Sequence, residues 1–388
     1  MDTNDLPPLN PPPTSPPPPP AVPPPVIVPP APSRPPRKGR GWMVFALILL
    51  VLLGLSMLVN LSHFFSKIVS LGGTPSHRAA GPRLEEVVLE DNSTSSKIAV
   101  ISVEGIISSR MLDQSGYNMV DVIKAQLDRA EEDHRVKAVL LKVDSPGGEV
   151  LASDDISRAI AEFQEEKNAG KPVIASMGGL AASGGYYVSA PCRLIMANEL
   201  TITGSIGVIM STWNYRGLMD KVGIRPFTFK SGKFKDMLSG SRNPDDIPEG
   251  ERAMVQSLID ETYDKFKSVV KDGRDASFKA NKKDKHECKA LVENWRDYAD
   301  GRILSGKEAL AYGFVDKLGD YDKALEEAAG IAGISKYNVV EYRLRYDLSD
   351  ILRMFGKSDA HGVRVDLGLE MPKLEAGRLY FLSPTYLH

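Results

Sequence analysis

Two glycine-rich stretches in this chain can bring backbone N–H groups close to a ligand. One is D-S-P-G-G at 144–148, the other G-G-L-A-A-S-G-G-Y-Y at 178–187. Each follows an apolar run, and glycine at such a turn removes the Cβ that would keep a bound group away. The second stretch carries Ser183 at the threshold of a predicted helix, whose positive end favours developing negative charge. That is a setting for a nucleophilic serine. It is also the setting of a tight strand-to-helix turn in which Ser183 merely caps the helix.

A serine nucleophile needs a base. The histidines are His63, His77, His134, His286, His361 and His388. None stands at a strand end beside either glycine stretch, and His134, within E-E-D-H-R, reads as a solvated helix end. Lysine is the other ordinary partner of a catalytic serine. F-K-S-G-K-F-K-D-M at 229–237 offers Lys230, Lys233 and Lys235 after a short apolar strand, R-P-F-T-F. On composition alone this is a charged loop. A lysine base must be neutral, and a free lysine titrates near ~10.4, so apolar burial is required. Phe227, Phe229, Met237 and Leu238 are the neighbours available to supply it. Tyr186 and Tyr187 read as packing residues and Asp236 as a solvent-facing carboxylate. Cys192 and Cys288 lie far apart and outside metal spacing, which predicts free thiols and no structural zinc; neither metal nor cofactor is expected.

The elements that would position these groups follow from hydrophobic patterning. Short β-branched runs at 98–103, 138–143, 172–177, 193–197 and 206–210 predict buried strands. Helical patterns lie between them at 118–132, 151–167 and 183–190, followed by a long amphipathic helix at 248–272 and two short helical patterns within 305–330. Strands separated by helices predict an α/β fold with a parallel sheet covered on both faces. Residues 338–388 resist assignment beyond some extended chain.

The first 96 residues belong to something else. Residues 1–36 hold 18 of the 28 prolines and predict an extended tail over 1–40. From Gly41 the chain is uncharged until Lys67, long enough for one transmembrane helix over 41–62, which needs ~20 residues. The run is longer than a signal peptide's apolar region and bulky residues follow it, so an uncleaved anchor is expected. Arg34, Arg37, Lys38 and Arg40 precede it and should stay in the cytoplasm, leaving the C-terminal part outside. Residues 63–96 read as a linker. A net charge of -2 gives no reason to expect nucleic acid.

Five motifs in order resemble the signal peptide peptidase (SppA) family in its short, single-repeat form. They are D-S-P-G-G, A-A-S-G-G-Y-Y, T-G-S-I-G-V-I at 203–209, K-S-G-K-F-K-D at 230–236, and A-D-G-R-I-L-S-G-K-E-A-L-A-Y-G-F-V-D at 299–316. The resemblance covers roughly 97–335 and leaves 336–388 as a C-terminal extension. It implies a Clp protease/crotonase-like fold and a serine endopeptidase with a Ser-Lys dyad, acting on remnant signal peptides or other membrane-associated peptides. It makes Ser183 the nucleophile and Lys235 the general base, with Lys233 the runner-up. The backbone N–H groups of Gly148 and Gly184 become the oxyanion donors. It also implies a homo-oligomer, a ring or dome, in which neighbouring subunits share sites. A crotonase-like acyl-CoA enzyme and a non-catalytic scaffold are the rival readings, because a shared fold does not assign chemistry.

Overall fold

The computed structural model describes residues 43–57, 81–111, 117–165, 170–345 and 379–382. The chain divides into two compact units, Met1–Arg78 and Ala79–His388. The described part of the first unit is one helix, α1 (43–57), almost wholly apolar and exposed. The span expected at 41–62 begins before α1 and ends after it, and those flanking residues lie outside the described ones, as does the proline-rich tail. Among the described residues no helix is long and apolar enough to cross a membrane.

The second unit runs β1 (Leu84–Glu90), β2 (Lys97–Glu104), α2 (Met119–Glu132), β3 (Val136–Ser145), β4 (Gly147–Glu149), α3 (Val150–Gln164), β5 (Val173–Ala182), α4 (Gly184–Ser189), β6 (Leu194–Ala197), β7 (Ile202–Gly204), α5 (Arg216–Lys221), α6 (Glu249–Lys283), β8 (Ile303–Ser305), α7 (Gly306–Tyr312), β9 (Lys317–Leu318), α8 (Tyr321–Ile331), β10 (Asn338–Leu344) and β11 (Tyr380–Leu382). Among the described residues one large sheet has the order β1-β10-β2-β3-β5-β6-β9, with β7 beside β5 and β8 beside β7. Within this sheet the pairs from β10 to β9, and β5 with β7, are parallel, while β1 pairs antiparallel with β10 and β8 with β7. This is the expected mixed α/β architecture with a largely parallel sheet.

The continuous apolar runs exist because both faces of the sheet are covered. On β2, Ala99, Ile101 and Val103 face a core that also holds Ile123 and Leu127 of α2, Ile156 and Ile160 of α3, Tyr186 and Tyr187 of α4, and Phe266 of α6. Ile98 and Val100 face the other core, covered by Ala324, Leu325 and Ala328 of α8. Local chemistry starts the helices: Asn118 and Asp121 form a capping box at α2, and Ser305 and Glu308 another at α7.

Several expectations change. The run 206–210 is not a strand; Ile209 alone bridges to Tyr380, and the strand at this place is β7. R-P-F-T-F at 225–229 has no strand partner and is irregular. β1 lies inside the stretch read as a linker, and pairs with β10 beyond residue 335. α6 runs through Gly273 to Lys283, because there the absent side chain admits a neighbour: a Cβ on Gly273 would sit 2.5 Å from the Ala190 carbonyl oxygen. The next residue, Arg274, is fully buried and paired with Asp316, whose carboxylate also accepts the Ile195 N–H at 2.8 Å. The G-F-V-D motif therefore fastens α6 to the start of β6.

Candidate active site

β5 passes through Gly178 and Gly179 and ends at Ala182, so Ser183 leaves the strand directly into α4. Its backbone sits at φ 55°, ψ −116°. A side-chain-bearing residue there carries about 1–3 kcal/mol of strain. Main-chain bonds hold it: the Ser183 N–H donates to the Gly204 carbonyl, and the Tyr187 N–H donates to the Ser183 carbonyl, both at 2.8 Å. The T-G-S-I-G stretch is thus the buttress of Ser183. Thr203 Oγ1 donates to the Ala181 carbonyl at 2.6 Å, and the Ser205 N–H donates to the Arg302 carbonyl at 2.7 Å, tying in the A-D-G-R motif.

The Ser183 hydroxyl makes no capping bond. It is buried, and among the described residues its Oγ has no hydrogen-bond partner. A buried unsatisfied polar group costs about 1–3 kcal/mol. Strain and an unsatisfied donor in one residue do not fit a simple packing turn; they fit a group held ready for a ligand.

The S-P-G-G loop lies against the start of α4. Ser145 Oγ donates to the Gly105 carbonyl at 2.6 Å and accepts the Gly147 N–H at 3.1 Å. Gly147, at φ 102°, adopts a backbone that only glycine takes without strain. A Cβ on Gly184 would lie 3.1 Å from the Gly148 nitrogen and 2.7 Å from Ser153 Oγ. The two residues expected to donate to an oxyanion are therefore side by side, next to Ser183.

The three lysines separate. Lys230 donates to Asp236 at 2.7 Å and to the Lys233 carbonyl at 3.3 Å. Lys233 lies over the Phe234 ring, 5.1 Å from its centre. Lys235 is exposed, and among the described residues no hydrogen bond or ion pair engages its ammonium. Asp236 is not solvent-facing: it is half-buried between Lys230 and Arg242. Within one chain Lys235 is not bonded to Ser183, and the expected apolar shell does not form, because Phe227 and Phe229 are 86% and 96% exposed. Their segment has no sheet partner to hold it against the body of the unit.

Tyr186 and Tyr187 pack as expected, fully buried, with their hydroxyls donating to the Phe314 carbonyl at 2.9 Å and to Asp154 at 2.7 Å. Burial pushes both phenols upward in pKa. Cys192 and Cys288 are free thiols, and burial raises Cys192 to about 12, which makes it inert.

The sequence reading missed the strand that lies in the site. β11 pairs antiparallel with β4, Phe381 opposite Gly148. On its other edge Tyr380 and Ile209 exchange two main-chain hydrogen bonds of 3.1 Å. The only signal in the sequence was the apolar run L-Y-F-L at 379–382, too short to place.

Comparison with known proteins gives a consistent result. The model of peptidase family S49 matches residues 165–335, which include Ser183 and Lys235. An Enterococcus faecium protein named provisionally as signal peptide peptidase SppA is 36% identical over 67% of this chain and 71% of its own length. A Synechocystis protein named provisionally as a protease is 39% identical over 62% of this chain and 76% of its own. Protease 4 of Salmonella typhi is 33% identical over 71% of this chain, but only 40% of its own length is covered.

Proposed function

The chain belongs to peptidase family S49, the SppA family, and is a serine peptidase; on that premise we propose that it is a membrane-anchored endopeptidase with a Ser183–Lys235 dyad, acting on remnant signal peptides and other membrane-associated peptides. The observation that carries this reading is Ser183 itself: strained, buried, without a hydrogen-bond partner for its hydroxyl among the described residues, and adjacent to Gly148 and Gly184. Ser183 Oγ attacks the peptide carbonyl while the neutral Lys235 amine takes its proton. The N–H groups of Gly148 and Gly184 receive the developing oxyanion. Lys235 returns the proton to the leaving amine, and water then hydrolyses the acyl-enzyme.

The two members of the dyad come from neighbouring subunits. Lys235 is exposed and without a side-chain partner among the described residues, and its segment carries Trp213, Phe227 and Phe229 almost bare. Apolar exposure on this scale fits a contact with another protein surface, and a second copy of the chain that covered it would desolvate the lysine. Head-to-tail contacts that close form a ring. The anchor reading is supported by α1, an exposed apolar helix in an otherwise uncharged stretch, and by the basic cluster before it. That orientation puts the catalytic unit outside the cytoplasm, bound to the cytoplasmic membrane.

The test is complementation. Ser183→Ala and Lys235→Ala should each lower peptide hydrolysis by about 10³-fold or more. Mixed oligomers of the two inactive variants should regain part of the activity, because some neighbouring pairs then hold one intact serine and one intact lysine. Mixed oligomers that form and stay inactive would confine the dyad to single subunits. Near-normal turnover of Lys235→Ala would remove Lys235 as the base.

A further inference from the structure

Lys235 stands on a segment that no sheet holds. Among the described residues no strand lies between β7 and β8, and 233–238 is a run of turns. The Met237 N–H donates to the Phe234 carbonyl at 3.0 Å, and the Ser239 N–H to the Asp236 carbonyl at 3.1 Å. A turn closed by a single main-chain bond does not by itself fix a side chain in space. Whatever places Lys235 must grip this turn from outside.

That grip is ionic and centres on Arg242. Its Nη1 donates to Glu251 Oε2 at 2.7 Å and lies 3.6 Å from Asp236 Oδ1, and its Nη2 donates to the Asp246 carbonyl at 2.9 Å. The other Glu251 oxygen, Oε1, accepts the Leu238 N–H at 3.2 Å. Asp236 follows Lys235 directly, and Leu238 closes the same run of turns. Leu238 sits at φ 63°, a left-handed backbone that such a residue rarely adopts unless something holds it there. Glu251 is buried in the first turn of α6, where the positive end of the helix favours a carboxylate. Further along α6, Phe266 and Val270 enter the core. One guanidinium therefore joins the turn that carries the base to a helix packed on the body of the unit. Its planar fork of donors can meet these separate acceptors at once, as a lysine ammonium cannot. An exposed ion pair would count for little. Here the carboxylate is buried, so loss of Arg242 leaves a charge unpaired inside the protein.

We propose that Arg242 is the positioning residue of the catalytic base: clamped to Glu251, it fixes the 233–238 turn so that Lys235 meets Ser183 at a set place. This rests on the peptidase reading above, with Lys235 as its base, and adds the group that holds that base. Arg242 touches neither substrate nor Ser183 in this role. Its defect belongs to the subunit that gives the lysine, and that assignment can be read directly in mixed oligomers.

Full-length variants test this by turnover of a labelled unfolded protein, alone and in mixed oligomers. Arg242→Ala should lower kcat about 10²-fold and leave KM within about twofold, the split expected of a misplaced catalytic group rather than of lost substrate binding. Glu251→Gln keeps the shape and removes the charge, so it should show the same split even where Arg242→Ala fails to fold. Guanidinium chloride below denaturing concentrations should restore part of the kcat of Arg242→Ala and none of that of Lys235→Ala. Mixed with Ser183→Ala, Arg242→Ala should regain activity. Mixed with Lys235→Ala it should not, since both defects then lie on the lysine side. An unchanged kcat in Arg242→Ala and Glu251→Gln would overturn the proposal, and so would equal recovery with either partner. Full turnover by Lys235→Ala would instead sink the reading of Lys235 as the base. A kcat loss in Arg242→Ala, rescued by guanidinium, beside an inactive mixture of Ser183→Ala and Lys235→Ala would sink the shared site and leave the clamp standing.

Discussion

Ser183 can be tested through stability as well as through activity. Its φ of 55° with ψ −116° stores about 1–3 kcal/mol in any residue that bears a Cβ. Its buried hydroxyl, without a partner among the described residues, costs about 1 kcal/mol more. Ser183→Ala removes the hydroxyl and keeps the strain, so it should be more stable than the parent by about 1 kcal/mol. Ser183→Gly removes both. Glycine loses more freedom on folding, which returns about 0.5–1 kcal/mol, so it should exceed Ser183→Ala by up to about 2.5 kcal/mol. At about 2–3 °C per kcal/mol for a domain of this size, calorimetry of the three proteins should give Tm values rising from Ser to Ala to Gly, while both variants are inactive. A Ser183→Gly protein less stable than Ser183→Ala would mean that the backbone at Ser183 is unstrained. A Ser183→Ala protein less stable than the parent would mean that the hydroxyl is already satisfied in the resting protein.

Two further outcomes follow from charges placed by the fold and by the sequence. Asp133 accepts two hydrogen bonds of 2.9 Å from the Arg135 guanidinium and one of 3.1 Å from Lys97, and the Arg135 bonds above all hold its carboxyl well below the usual carboxylate range. Its contribution is present above about pH 4 and lost as pH falls toward the folded value. Asp133→Asn should therefore cost about 1 kcal/mol at pH 7, allowing for solvent screening, with the gap closing below pH 4 in urea titrations. A gap unchanged from pH 7 to pH 3 would refute the assignment. A C-terminal reporter should appear outside the cytoplasm and residues 1–40 inside, because Arg34, Arg37, Lys38 and Arg40 precede the uncharged span. Protection of the catalytic unit from added protease by an intact membrane would reverse that topology.

The centre of the sheet was legible because β2, β3, β5 and β6 are buried on both faces and so read as apolar runs. The edges were not. β1 has the burial of a solvated edge strand, with two glutamates leading it, and looks like linker until β10 is found beside it. Glycine marks two of the differences. Gly178 and Gly179 read as a turn although β5 runs through them, and the helix expected to end at 272 continues through Gly273, where α6 approaches Ala190. At the site, Ser183 and the two glycine loops were visible as motifs, and the structure adds what a motif lacks, the strain at Ser183 and the contact between Gly184 and Gly148. The apolar residues near Lys235 in sequence were the wrong guide to its surroundings, since proximity along the chain does not make a shell. The pairing of β11 with β4 joins residues more than 200 apart, and nothing local in 379–382 encodes it.

A serine-directed fluorophosphonate probe tests the central claim most directly. Incubated with the full chain and mapped by peptide mass spectrometry, it should give one adduct, on Ser183. That adduct should be absent from Ser183→Ala and strongly reduced in Lys235→Ala, since without its base the hydroxyl is a poor nucleophile. Labelling at another serine, or full peptide hydrolysis by a protein whose Ser183 stays unlabelled, would contradict the account.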